Sequence, residues 1–232
     1  MPVLFVFLLS AFLCGNLAGE EAVMLPGGTL LFPDAGEVTM VPGCQSHPNF
    51  DSGTGGGPDT ADADGLFRFK QRTRSGHEKC PVLDFASKVG QTERGLRFDV
   101  SVRPDSDVDL AWAGISFSFP TDCFRGGRFV ADGESCPFPL EPARNPLRTG
   151  SVRQLAFYDK DDRFRFGLRF PDSTIIHFQD GRRWNGMSYT LRVIFKREVR
   201  YARNERNDLA FEAWTKGKTE LKTGSGHVCI RA

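Results

Sequence analysis

The feature that most constrains this chain is a segment at residues 163–170, RFRFGLRF, in which large apolar and cationic residues alternate. Successive side chains of a β-strand point to opposite faces, so the alternation predicts a strand with one buried and one solvated face. Residues 189–195 alternate in the same way. Between the two runs, Asp180-Gly181 is a turn dipeptide in which glycine tolerates positive φ. The segment therefore predicts an antiparallel β meander that contributes half of a hydrophobic core.

Composition favours an all-β fold. The 232 residues include 21 Phe, 25 Gly and 14 Pro, but 3 each of Trp and Tyr. Phe-rich alternating runs between glycine and proline turns are typical of a two-sheet antiparallel β-sandwich of the jelly-roll kind. Helices are expected only at residues 82–89 and 198–207. Strands are expected at residues 29–32, 66–70, 96–102, 113–119, 128–131, 152–158, 164–170, 174–178, 189–195, 209–214 and 226–231.

The first residues have the pattern of a targeting segment. Residues 3–13 are apolar, and the small residues Ala18 and Gly19 follow, as in a secretory signal peptide. We expect residues 1–19 to be a signal peptide and the protein to be secreted, in the periplasm or outside the cell. No later run reaches the ~20 apolar residues of a transmembrane helix. Residues 20–65 are expected to form a short edge strand and a Gly/Asp-rich loop or linker, and residues 66–232 the β-sandwich domain.

Export would place the cysteines in an oxidising compartment. The chain has 6 cysteines, and Cys44, Cys80, Cys123, Cys136 and Cys229 remain once Cys14 is removed with the signal segment. Cys123 and Cys136 bracket a glycine turn and are the first expected disulfide, and Cys44 with Cys80 is the second. The odd number leaves one thiol free or in an intermolecular bond.

Metal and cofactor signals are sparse. None of the histidines has the spacing of a zinc pair. Asp159, Asp161 and Asp162 cluster on a turn between two strands, where a structural calcium ion is one reading and an ordinary hairpin turn is the other. No other cofactor is expected.

The loop at residues 180–186 is the candidate ligand-binding segment. Trp184 follows Arg182 and Arg183, and an indole ring there can stack on a sugar face while the arginines bind hydroxyl or carboxylate groups. The alternative is that Trp184 folds back onto the core. Arg165, Arg169 and Arg192, with Arg97, fall on the polar phase of their strands. If those strands are neighbours, the arginines form a cationic face suited to an acidic or sulfated polysaccharide; otherwise they pair with surface carboxylates such as Asp99, Asp172 and Glu212.

The sequence contains no established catalytic motif. GxSxG, P-loop and GxGxxG patterns are absent, and the net charge of +1 does not suggest a nucleic-acid partner. Hydrolysis of a glycoside needs two carboxylates about 5–10 Å apart, which the sequence does not pair. No catalytic residue is assigned, although a hydrolase or lyase that uses a carboxylate pair or His177 stays open as an alternative.

Two motifs are similar to those of a known family. The run at residues 176–193, IHFQDGRRWNGMSYTLRV, resembles a "QDxRxW…sLRi" signature in β-sandwich accessory domains of secreted bacterial carbohydrate-active enzymes. Residues 115–133 resemble the "f.lP…f.Gg.v..dG" strand pair of the same domains. The resemblance extends over residues 94–196 and matches Phe164, Phe170, Trp184 and Arg192 as scaffold positions. Because these domains usually accompany a catalytic barrel, for which this chain has no room, the resemblance implies a binding or structural module.

We therefore expect a secreted, non-catalytic module that binds a polysaccharide or glycan. The alternatives are a polysaccharide hydrolase or lyase on a jelly-roll scaffold, and a structural extracellular or envelope protein. The sequence does not indicate the oligomeric state.

Overall fold

The computed structural model describes residues 21–25, 29–56, 66–73, 81–216, 220–224 and 227–231. Within them the chain forms 17 antiparallel strands and one short α-helix. The elements are β1 (Glu21–Leu25), β2 (Thr29–Phe32), β3 (Val38–Ser46), β4 (Thr54–Gly56), β5 (Leu66–Arg72), β6 (Val82–Gln91), β7 (Leu96–Pro104), β8 (Val108–Pro120), α1 (Thr121–Phe124), β9 (Arg128–Ala131), β10 (Glu134–Pro137), β11 (Arg148–Tyr158), β12 (Phe164–Asp180), β13 (Ser188–Ile194), β14 (Arg200–Tyr201), β15 (Asn207–Trp214), β16 (Glu220–Gly224) and β17 (His227–Arg231).

The strands form two layers that share the long hairpin of β11 and β12. In the first layer the hydrogen-bonded order of the strands is β16–β17–β1–β2–β3–β8–β13–β12–β11. Only the C-terminal half of β12 belongs to this layer. In the second layer the order is β4–β5–β6–β7–β15–β12–β11–β9–β10. Only the N-terminal half of β12 belongs to this layer. The all-β sandwich expected from the sequence is confirmed.

The change of layer occurs in the middle of β12. Arg169 pairs with Glu212 of the second layer, whereas Ile175 pairs with Ile194 of the first. The ladder between β11 and β12 shifts register between Val152 and Gln154, opposite the Pro171-Asp172-Ser173 segment. Proline lacks a backbone N–H and disrupts a regular ladder, so the sequence break coincides with the corner of the sandwich. The two separate strands expected at residues 164–170 and 174–178 are thus one strand that serves both layers.

The core between the layers consists largely of phenylalanine rings. Phe117 of β8 lies 5.7 Å, centroid to centroid, from Phe211 of β15, and Phe119 lies 4.2 Å from Phe157 of β11. Each contact joins the first layer to the second. Fully buried aromatic residues each remove a large apolar area from water, so this cluster is a major source of stability.

The strands expected at residues 128–131 and 29–32 have those bounds in the structure. Those expected at 66–70, 96–102, 113–119, 152–158 and 209–214 are confirmed and extend further at one or both ends, whereas the strand expected at 189–195 is observed as Ser188–Ile194 and that at 226–231 as His227–Arg231. Both helix predictions are wrong. Residues 82–89 belong to β6, where Leu83, Phe85 and Val89 are buried on one face in the alternation of a strand. Residues 198–207 contain the short β14 and a turn in place of a helix.

The segment before residue 65 contains more regular structure than expected. β2 lies between β1 and β3 and is therefore not an edge strand. β3 alternates buried and partly buried residues over its whole length and pairs with the central strand β8. Residues 54–56 form β4 on β5, while 57–65 lie outside the described residues. Pro42 and Gly43 lie inside β3, where the buried face of the strand outweighs their poor strand propensity.

Cys44, Cys123 and Cys136 are free thiols in this structure. The expected bridge between Cys123 and Cys136 is absent because Cys123, on α1, packs against Gly36, whereas Cys136 on β10 pairs opposite Phe129. Cys44 is buried, and burial raises the pKa of its thiol to about 12. Its expected partner Cys80, like the predicted signal peptide at 1–19, lies outside the described residues. No helix in the described part of the chain has the length and apolar character needed to cross a membrane.

Candidate functional site

The outer face of the first layer presents a polar patch on two neighbouring strands. On β12 and β13 the buried residues Phe178 and Leu191 face the core, so the alternate residues face outward. His177 lies opposite Arg192, and Gln179 lies opposite Thr190. The strand period thus brings a histidine, an amide, a hydroxyl and a guanidinium onto one surface.

These side chains line an open groove of about 790 Å³, which we call the aromatic groove. Three aromatic side chains line it together with the polar patch: Phe50, Trp112 and Trp184. Trp184 is 59% exposed and Phe50 is 61% exposed, although both are large apolar side chains. None of the residues lining this groove is Asp or Glu. An exposed apolar surface rimmed by polar groups is typical of a ligand-binding surface.

Trp184 stands at the end of a 3₁₀ turn, Gly181–Trp184, between β12 and β13. The Asp180 carboxylate accepts a hydrogen bond from the backbone N–H of Arg182 at 3.0 Å, which caps the start of the turn. Asn185 ends it in the left-handed conformation, with φ of 60°, which Asn tolerates better than most residues. The turn directs the indole into the groove and solvent, so Trp184 does not cover the core.

Arg182, predicted to bind ligand, forms a structural ion pair. Its Nη2 donates to Asp180 Oδ2 at 2.7 Å, and the Asp180 side chain is fully buried. The remaining guanidinium hydrogens bind backbone carbonyls of the adjacent loop, namely those of Pro139, Leu140 and Glu141. Its donors are therefore used within the protein, and Arg182 fastens residues 139–141 beneath the Trp184 turn.

The Asp180 carboxylate is stabilised in its charged form. Burial by itself raises the pKa of Asp180, but hydrogen bonds from the Arg182 guanidinium and from the backbone N–H groups of Ala143 and Arg182 outweigh it. The pKa of this carboxyl therefore lies below its ordinary value of 3.8. The stabilisation is fully present above pH 3.8 and is lost as the pH falls through the lower pKa of the folded state.

Arg183 supports the tryptophan from outside the groove. Its guanidinium carbon lies 5.2 Å from the centroid of the Trp184 ring, within cation–π distance, and its Nη1 donates to the backbone carbonyl of Arg144. Arg183 therefore restricts the indole and is not among the groove-lining residues.

Trp112 forms the opposite side of the aromatic groove. Its Nε1–H donates to Gln45 Oε1 at 2.7 Å, so the indole is oriented by a side chain of β3. The ring edge lies against Gly43, where a Cβ atom would stand 2.8 Å from Trp112 Cη2. Glycine at this position of β3 thus permits the close packing of the ring on the strand.

Arg192 lies between the two tryptophans and is the cation of the groove. Its guanidinium carbon is 4.9 Å from the centroid of the Trp112 ring. Its Nε is fully buried and has no hydrogen-bond partner. Burial also lowers the pKa of the guanidinium below its ordinary value. The described part of the chain contains no carboxylate paired with Arg192.

His177 is a neutral hydrogen-bonding group of the same surface. Its Nε2 lies 3.1 Å from Gln179 Oε1. Burial lowers the pKa of His177 below 6.5; the hydrogen bond with Gln179 opposes this, and the positive charge of Arg192 lowers it further. Near neutral pH the ring is therefore uncharged, and Arg192 supplies the positive charge among the groove-lining residues.

The other predicted arginines lie on the opposite side of the molecule. Arg165 and Arg169 are on the N-terminal half of β12, in the second layer, whereas Arg192 is in the first. Arg165 Nε donates to Asp159 Oδ2 at 2.8 Å, and Arg169 stacks over Trp214 at 5.9 Å. The predicted cationic floor shared by all three arginines is absent because β12 changes layer between them.

The Asp159 turn already uses its carboxylate within the protein. Asp159 Oδ1 accepts hydrogen bonds from the backbone N–H groups of Asp161 and Arg163, at 2.9 and 3.0 Å. Asp162 instead pairs with Arg128 at 2.7 Å. Across the described residues, no group of three or more His, Cys, Asp or Glu side chains is arranged to hold a metal ion.

The carboxylates Asp99, Asp107 and Asp109 do not lie beside His177. Asp99 is on β7 in the second layer and pairs with Arg97 at 2.8 Å. Asp107 and Asp109 both pair with Arg200 on the surface. His177, in the first layer, therefore has no carboxylate of this set beside it in the aromatic groove.

Sequence reasoning missed most of the groove. Trp112, Gln45, Phe50, Gln179 and Thr190 were not singled out. One signal was available for Trp112, because it shares the polar phase of β8 with Ser116 and Ser118 while Ile115, Phe117 and Phe119 are buried. A tryptophan on the outward phase of a central strand indicates a functional surface. Gln45 joins the groove through the pairing of β3 with β8, which the sequence does not specify, and Phe50 lies in the turn that follows β3.

No family model matches this chain, and no curated protein matches it. The resemblance to bacterial accessory domains therefore stays a prediction. Among solved structures, the chain is similar to that of a putative aldose 1-epimerase from Escherichia coli K12. The TM-score is 0.37 at 12% identity, over 84% of this chain and 79% of that one. We infer neither an activity nor a substrate from a likeness at this level.

Proposed function

We propose that this protein is a secreted, non-catalytic carbohydrate-binding module and that its ligand lies in the aromatic groove. The observation that supports this most is the exposed indole of Trp184 at an open polar groove on one sheet face, with the largely buried Trp112 among the lining residues. Secretion is supported by the apolar run at residues 3–13.

The chemistry of the groove matches that of a sugar. A pyranose ring has apolar C–H faces and a rim of hydroxyl groups, and tryptophan rings contact the faces while polar side chains bind the rim. His177, Gln179 and Thr190 provide donors and acceptors of both kinds. The tryptophans are held by Gln45 and by the Asp180-capped turn, so the surface is formed before a ligand arrives.

The groove is better suited to binding than to glycoside cleavage. The two carboxylates that glycosidases place about 5–10 Å apart are not among its lining residues. For this reason we place recognition ahead of hydrolysis. A single oligosaccharide screen tests recognition and hydrolysis together, because binding and product release are read in the same wells.

Replacing Trp184 by alanine is expected to weaken glycan binding at least about tenfold, because truncating a tryptophan anchor typically costs about 2 kcal/mol. The experiment screens the protein against neutral, acidic and sulfated oligosaccharides and repeats the positive titrations with the variant. Leu140→Ala is a matched control, since Leu140 is similarly exposed and outside the groove. Its affinity should equal that of the unmodified protein.

Two results would reject the proposal. One is the absence of binding to every oligosaccharide class by the folded protein. The other is equal affinity of the Trp184→Ala variant, which would place the ligand elsewhere. Release of reducing sugars or unsaturated products would replace the binding module by an enzyme.

A further inference from the structure

Arg192 is unusual among the arginines of this protein. Several of the others within the described residues form ion pairs, as in Arg97–Asp99, Arg128–Asp162 and Arg182–Asp180, and among the described arginines Arg192 is the one with a buried side-chain nitrogen that has no hydrogen-bond partner. Arg192 has no ion-pair partner in this part of the chain, and its Nε is fully buried without a hydrogen bond. Charged groups removed from water are normally paired, because their desolvation is costly.

The contact with Trp112 offsets part of this cost. The guanidinium lies over the indole face at 4.9 Å, which is a favourable cation–π position. That contact uses the flat face of the guanidinium and leaves its N–H groups, which lie in the plane, without partners. The guanidinium is therefore oriented by the ring, with its Nε buried and without a hydrogen-bond partner, and its Nη groups are not hydrogen-bonded to another described residue.

The surroundings of Arg192 add no negative charge. Its cross-strand neighbours are His177, which is neutral near pH 7, and Ser116. The other lining residues of the groove are apolar, neutral polar or glycine. A groove with an unpaired cation, and with no carboxylate among its lining residues, attracts an anion and does not repel it.

We propose that the aromatic groove selects a sugar that bears a carboxylate or a sulfate, and that Arg192, supported by the Trp112 ring, binds this anionic group while the exposed Trp184 contacts the sugar face. This inference rests on the proposed glycan-binding function. A planar guanidinium matches a carboxylate or sulfate with two parallel hydrogen bonds, and such charge-assisted bonds are the strong ones. The ligand would supply the counter-charge that Arg192 lacks.

The test compares matched probes that differ in charge. Oligogalacturonate is titrated beside its methyl ester, and a sulfated galacto-oligosaccharide beside its desulfated form. The protein is expected to bind at least one acidic probe about ten- to a hundredfold more tightly than its neutral counterpart, as a hydrogen bond to a charged group allows. The preferred pair identifies the anion as carboxylate or sulfate.

Variants at Arg192 locate the effect. Arg192→Met keeps the length of the side chain and should remove the preference for the acidic probe, so that the acidic and neutral members of a pair bind the variant with equal affinity. Arg192→Lys keeps the charge without the planar fork and should retain part of the preference. Arg192→Met removes a buried unpaired charge, so its melting temperature is expected to equal or exceed that of the unmodified protein.

The possible results distinguish a failure of this inference from a failure of the proposed glycan-binding function. Equal binding of acidic and neutral probes, or a preference that persists in Arg192→Met, would overturn the role of Arg192 and leave glycan binding in place. Absence of binding to all four probes and to the wider oligosaccharide screen would reject both. If Arg192→Met does not fold, Arg192→Lys decides, because a charge preference equal to that of the unmodified protein contradicts bidentate binding of the anion.

Discussion

Replacing Asp180 by alanine is expected to lower the free energy of unfolding by about 3–5 kcal/mol, the range for breaking a buried ion pair from one side. The Asp180 side chain is fully buried and that of its partner Arg182 is 13% exposed. The substitution removes the acceptor for Arg182 and for the backbone N–H of Ala143. A buried guanidinium would lose its counter-charge, and the Trp184 turn would lose its N-terminal cap.

Urea unfolding followed by fluorescence measures this loss. Asp99→Ala provides the matched control, because the Arg97–Asp99 pair has the same chemistry at 52% and 51% exposure. Exposed pairs typically contribute about 0.2–1 kcal/mol, so the control should lose no more than that. Equal losses in the two variants would show that the Asp180 pair is not a structural support of the groove.

Replacing Phe119 by alanine is expected to cost about 3–5 kcal/mol, as is typical of a buried phenylalanine. Phe119 is fully buried between the layers and stacks on Phe157 at 4.2 Å. Its ring also meets Phe124, Phe178 and Phe166 at centroid distances of 5.4, 5.8 and 6.0 Å. The cavity left by the ring would be bounded by several large side chains, which limits collapse around it.

The same denaturant titration serves for Phe119→Ala, with Phe50→Ala as control. Phe50 is 61% exposed, so its replacement should change the free energy of unfolding by less than about 0.5 kcal/mol. A loss below about 1 kcal/mol for Phe119→Ala would mean that the aromatic cluster is not the main contact between the layers.

The sequence predicted the strands of the core because alternation is a local property. The pattern of residues 163–170 identified the buried face of β12, and the loop with Trp184 was recognised from its turn dipeptide. The strand at residues 82–89 was mistaken for a helix, although its apolar residues also fit a period of two. Short runs of this kind fit both periods, and only the pairing of β6 with β5 and β7 decides between them.

The site was less accessible because it depends on strand order. In the sequence, Arg165, Arg169 and Arg192 all fall on the polar phase of their strands. In the structure, β12 changes layer between Arg169 and His177, the cross-strand partner of Arg192. The sequence indicated Arg182 and Arg183 as ligand contacts alongside Trp184. In the structure, the guanidinium donors of Arg182 are used by Asp180 and by the carbonyls of residues 139–141. Trp112 enters the groove through the position of β8 beside β13. Such neighbours come from tertiary pairing, which local patterns do not encode.

The most direct test of glycan binding in the aromatic groove uses the indole N–H signals of the 3 tryptophans in a ¹⁵N-labelled sample. Trp112 and Trp184 line the groove, whereas Trp214 is on β15 in the other layer. Titration with neutral, acidic and sulfated oligosaccharides is expected to shift the first two signals with a single affinity and to leave the Trp214 signal in place. A shift confined to Trp214, or no shift with any oligosaccharide, would contradict binding in this groove.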